Sequence, residues 1–105
     1  MQSEFSYTYL TCDDGQKEKL ARTLLEKRLI ACAKFLPVDA MYWWEGKIEL
    51  ANEALIVMEA PTANFAAIEA EIAKIHTYDT FVLTQIPMTN VNNDAKNWIR
   101  KELGL

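Results

Sequence analysis

Phe5, Tyr7 and Tyr9 alternate with Ser6, Thr8 and Leu10, a period of two that predicts a first strand with one aromatic face. Asp13 followed by Gln16 resembles a helix N-cap with its reciprocal partner. Leu20, Ala21, Leu24 and Leu25 then recur at helical spacing, and Lys27 and Arg28 fall where cations suit the end of the helix dipole. Leu29 to Leu36 is almost uninterrupted in its apolar character and predicts a buried second strand. Pro37 cannot donate to a sheet ladder, so it marks an edge or a bulge. Strand character resumes from Val38 to Trp44. Glu45-Gly46 makes a tight turn, and Lys47 to Glu59 forms a third strand. Pro61 opens a second helix, with Phe65, Ile68, Ile72 and Ile75 on one face. Phe81 to Met88 predicts a fourth strand ended by Pro87. Thr89 to Asp94 is a loop and cap, and Trp98, Ile99 and Leu103 line a short final helix. The order βαββαβα is a split βαβ unit duplicated once. It predicts an α+β, ferredoxin-like sandwich with four antiparallel strands and helices on one face, as a single domain over residues 1–105.

The central hairpin is too long for such a domain. Ala31 to Trp44 as one strand extends roughly 45 Å at ~3.3 Å per residue. A compact chain of this size has a radius of gyration of about 13 Å, hence a diameter of roughly 33 Å. The hairpin therefore overhangs its own core, and a lone two-stranded ribbon with open edges is barely stable. Its tip reads Tyr42-Trp43-Trp44-Glu45-Gly46-Lys47. Indoles at an exposed tip leave an apolar patch in water unless something covers them. A second copy of the chain solves both problems, so the length argues for a homo-oligomer.

Composition narrows the class. The chain has 105 residues, enough for one domain, with a net charge of −4 and no cluster of Lys or Arg. That speaks against a nucleic-acid or anionic-membrane surface. No apolar run reaches membrane-spanning length, and Met1 to Glu4 does not read as a leader, so the expected compartment is the cytoplasm. Cys12 and Cys32 form no CxxC pattern and read as free thiols. There is no GxSxG, no phosphate-binding glycine loop and no paired His, which speaks against an enzyme.

The candidate chemistry is sparse. His76 is the only histidine. It could ligate a divalent metal through a neutral ring nitrogen, or simply cap the carbonyls at a helix end. Asp79 is the nearest second ligand. Cys12 stands beside Asp13 and Asp14, where a loop thiol and two carboxylates could meet a metal; alternatively Asp13 caps the helix and Cys12 is incidental. Cys32 lies among Ile30, Ala31, Ala33 and Phe35 and reads first as an inert buried thiol. Tyr42 and Trp44 face the opposite side from Trp43 and read as packing, with Tyr78 and Trp98 in the same layer. Glu45 and Lys47 flank the turn as a solvated pair.

Ala31-Cys32-Ala33 with Pro37, then Tyr42-Trp43-Trp44-Glu45-Gly46-Lys47-Ile48, then His76-Thr77-Tyr78-Asp79 resemble the successive signatures of CutA, the divalent-cation tolerance family. The resemblance runs from Tyr7 to Glu102. It implies a PII-like homotrimer whose long hairpins cross subunit boundaries, and a response to divalent metals, copper above all, with weak or intersubunit Cu(II) binding. An alternative is a PII-like trimeric signalling scaffold that senses a small molecule or docks a partner without a metal role. By the resemblance, Cys32, Tyr42, Trp44, Glu45, Glu59, Tyr78, Val82 and Trp98 fall in the intersubunit cleft or its packing, and His76, Cys12 and Asp79 are the metal candidates. The chain departs from the family pattern at Thr77, Asp79, Phe81, Val82 and Ala95. Glu59 stands where the family usually has Lys, so an anion held by that Lys would here meet a carboxylate. Tyr9 and Ile75 occupy positions where copper-binding members carry Cys and His, and only His76 matches.

Overall fold

Alternation along β1 (Phe5–Cys12) sets the two faces of the sheet. Ser6, Thr8, Leu10 and Cys12 are buried on one face, whereas Tyr7 lies open and Tyr9 half-buried on the other. The aromatic face expected from the sequence is therefore the outer one. The computed structural model describes residues 3–105. After β1 come α1 (Lys17–Glu26), β2 (Cys32–Trp44), β3 (Lys47–Pro61), α2 (Phe65–Ile75), β4 (Leu83–Pro87) and α3 (Asn93–Leu103). Every pairing is antiparallel and the strand order is β2-β3-β1-β4, the ferredoxin-like sandwich that the element order predicts.

α1 and α2 cover the face of Thr8 and Leu10. Leu20, Leu24, Ile68 and Ile72 from the helices close on Leu10, Cys12, Ala54, Ile56 and Met58 from the strands. α3 does not join them. Its buried Ile99 packs with Phe5 and Met88, and Phe5 alternates with the core residues of β1, so α3 seats at one end of the opposite face. Arg100 of α3 lies 5.7 Å over the Phe5 ring and pairs with Glu4.

Several local expectations change. The second strand starts at Cys32 rather than Leu29, and most of it is exposed rather than buried, because β2 is an edge strand with no partner on its outer side among the described residues. Pro37 is tolerated on that edge, and the register runs through it without a bulge. β4 begins only at Leu83, leaving Phe81 and Val82 in the preceding loop. Asp13 gives no side-chain cap; its carbonyl accepts from Gln16 N–H (2.9 Å) instead. Lys27 and Arg28 lie just past α1. Arg28 adopts φ 58°, and Arg28 N–H and Leu29 N–H bond back to the Leu25 and Leu24 carbonyls, closing the helix in a Schellman motif.

β1 stops at Cys12, opposite Ala54, but β2 and β3 continue together from Val38–Glu53 to Trp44–Lys47. This is roughly 20 Å of unsupported ribbon at ~3.3 Å per residue. It stretches the molecule to 45 × 26 × 22 Å with a radius of gyration of 14.5 Å. Glu45 (φ 50°) and Gly46 (φ 79°) close the tip with positive φ at both turn positions, the arrangement that matches strand twist. On the ribbon face continuous with the core, Met41, Trp43, Ile48 and Leu50 stand bare, Trp43 and Leu50 each 73% exposed.

Candidate functional site

α2 ends at His76, whose backbone turns extended (ψ 139°) while its N–H still bonds to the Ile72 carbonyl. That turn aims the imidazole at the end of β1. Nε2 lies 3.0 Å from the Thr11 carbonyl, and Nδ1 accepts the Tyr78 N–H at 3.0 Å. A carbonyl can only accept, so Nε2 carries the proton, and Nδ1 must be the bare nitrogen. The ring is neutral with both nitrogens engaged. Phe81 stacks against it at 5.2 Å and Tyr78 tilts over it at 4.7 Å. His76 thus clamps the helix end, the strand end and the following loop together.

The same loop crosses to the outer face of the sheet. Tyr78 donates to Glu53 Oε2 at 2.6 Å, and its hydroxyl also lies 3.2 Å from Asp13 Oδ1. Thr77 Oγ1 reaches the other Asp13 oxygen at 3.4 Å. The carboxylate expected to cap α1 is therefore turned to this loop. Glu53, 8% exposed, sits where the ribbon leaves the sheet. Burial, then the hydrogen bond to Glu53, push the Tyr78 phenol well above its ordinary range. Cys12 is not a loop thiol: it ends β1 and is wholly buried, and burial followed by the charges of Asp13 and Glu53 raises it to about 11.

Between the ribbon and this loop lies a cavity of about 500 Å³. Tyr42, Trp43, Trp44, Glu53, Tyr78 and Asp79 line it, with Val82 and Thr11 beside them. Of the residues singled out in the sequence, Tyr42, Trp44, Tyr78, Asp79 and Val82 lie together around this cavity. The others do not. Cys32 pairs with Glu59 toward the start of β1, at the far end of the sheet. There Lys34 forms an ion pair with Glu59, and this bond raises the lysine further. The Glu59 carboxylate is thus paired with a cation of its own chain. Trp98 lies on α3, next to Ile99, at the Phe5 end of the outer face, whereas Tyr78 lies toward the other end, at Glu53. Glu45 occupies the turn tip. Glu53 was not singled out by the sequence, and Asp13 only as a helix cap or as a carboxylate beside Cys12. The available signal was a Glu placed by alternation on the face of Leu55 and Val57. Among the described residues, no three His, Cys, Asp or Glu side chains converge as a metal site.

The family model for the CutA1 divalent ion tolerance protein matches residues 6–102. The divalent-cation tolerance protein CutA of Archaeoglobus fulgidus is 33% identical over 95 residues, covering 90% of this chain and 93% of the relative. That of Pyrococcus horikoshii is 36% identical with the same coverage. Among solved structures, the periplasmic divalent cation tolerance protein CutA from Archaeoglobus fulgidus superposes with a TM-score of 0.91 at 31% identity, covering 94% of this chain and 98% of that one.

Proposed function

Since this chain belongs to the CutA1 divalent ion tolerance family, we propose that it serves in the response to divalent cations as a homotrimer that binds copper weakly at subunit boundaries. The match over residues 6–102 carries the reading. The bare ribbon supports the assembly: Trp43 and Leu50 stand 73% exposed on a two-stranded overhang that has no third strand among the described residues. The whole chain acts as one domain, and it works by binding rather than by turnover.

His76 is the first metal candidate, with Asp79 next and Cys12 last. To coordinate, His76 must release the Tyr78 N–H from Nδ1, exchanging an intrachain hydrogen bond for a metal bond. That exchange accounts for weak binding. Cys12 is buried and holds its proton to about pH 11, so it is the least available of the three. The cytoplasm suits the two free thiols. Among the described residues no helix is long and apolar enough to cross a membrane. Cell fractionation reads the compartment, and recovery with an extracytoplasmic fraction would overturn that placement.

Calorimetric titration with Cu(II) tests the metal role. The wild type is expected to bind weakly, and His76→Ala to bind about tenfold more weakly still, which is ~1.4 kcal/mol. Equal affinity in the two proteins would sink the His76 assignment. Sedimentation equilibrium is expected to give three times the chain mass, and a stable monomer at micromolar concentration would refute the assembly.

A further inference from the structure

We propose that the cavity between the hairpin overhang and the loop after α2 binds an organic cation, an alkylammonium or quaternary ammonium group, in an aromatic cage closed by carboxylates. Three rings, Tyr42, Trp44 and Tyr78, line it together with Glu53 and Asp79. No Lys or Arg is among the lining residues. The rings present negative π faces that attract a weakly hydrated cation, and Trp does so best. The volume of about 500 Å³ suits a small molecule.

Charge settles the class of occupant. Tyr78 donates to Oε2 of Glu53, and Glu53 itself lines the cavity. Asp13 Oδ1, 3.2 Å beyond the Tyr78 hydroxyl, adds negative potential behind that wall. An anion is repelled by these groups. A bare divalent metal fits poorly, because ring faces cannot replace its shell of oxygen or nitrogen ligands. Among the described residues no three metal-binding side chains converge there. His76 is withdrawn behind Tyr78, with both nitrogens engaged. A large, soft, singly charged cation fits both the rings and the carboxylates.

The test is tryptophan fluorescence of the full chain, titrated with tetramethylammonium chloride at constant ionic strength. Neopentyl alcohol serves as the neutral probe of like shape. Tetramethylammonium is expected to change the emission saturably, and the alcohol not to. Trp98→Phe is expected to keep the whole signal, since Trp98 sits on α3 away from the cavity. Glu53→Gln keeps an acceptor for Tyr78, and Asp79→Asn alters only a loop residue. Each is expected to weaken binding, Glu53→Gln about tenfold, and Trp44→Leu to weaken it by a similar factor. No saturation, an equal response to the alcohol, or unchanged affinity in Trp44→Leu and Glu53→Gln would each overturn the proposal. Copper binding through His76 can fail while tetramethylammonium still saturates, so the two readings stand or fall separately.

Discussion

The phenol of Tyr78 donates to the Glu53 carboxylate across 2.6 Å, joining the loop after α2 to the point where the hairpin leaves the sheet. Removing that hydroxyl strips a mostly buried carboxylate of its donor. Tyr78→Phe is expected to cost about 1–3 kcal/mol in urea unfolding. Pairing it with Glu53→Leu should cost less than the two single losses added together, because one interaction is removed twice. Strictly additive losses would show that the bond contributes little.

High pH should loosen the fold. The Cys12 thiol is raised from 9.0 to about 11, and Tyr78 is raised as well, both by burial first. Each group is neutral when protonated and holds its proton longer in the folded chain than in the unfolded one. Their stabilisation is complete below the unfolded values and is lost as pH rises toward the folded ones. The urea midpoint should therefore fall between about pH 9 and pH 11, and less steeply in Cys12→Ala. The same slope in that variant would remove Cys12 as a cause.

Thr8 places its hydroxyl in the core without a hydrogen-bond partner among the described residues. Thr8→Val keeps the shape and exchanges that hydroxyl for a methyl group. It is expected to raise stability by about 1 kcal/mol. A loss of stability would mean that the hydroxyl is satisfied in solution.

Trp43 and Leu50 share the bare face of the ribbon. Trp43→Asp and Leu50→Asp should leave the circular dichroism of the subunit intact and lower the sedimenting mass toward that of one chain. An unchanged mass in both variants would place the subunit contact elsewhere.

Glu59→Lys would set two ammonium groups side by side, since Lys34 already pairs with Glu59 across the strands. Lys34 is largely exposed, so the effect is modest, up to about 1 kcal/mol. Lys34→Glu placed on top of it should restore the thermal midpoint. Failure of that rescue would show that Glu59 is held by some other group.

The strand and helix pattern was legible wherever one period dominated. Ile68 and Ile72 fall on the core face of α2 as their spacing requires, and the tip turn sits at Glu45-Gly46. Local signals misled where a tertiary partner competed. Asp13 has the spacing of a cap, yet its carboxylate serves Thr77 and Tyr78, which lie more than sixty residues away. The apolar run from Leu29 reads as buried, but β2 lies at the sheet edge, and burial depends on what covers that edge.

The overlong hairpin and its aromatic tip belong to the sequence alone, because length and alternation are properties of consecutive residues. Which face of that hairpin meets the His76 loop, and which stays bare, was decided only by the tertiary structure. Glu53, Tyr78 and Asp13 are remote in the chain, and their convergence depends on strand register and on where α2 ends, which no local period encodes.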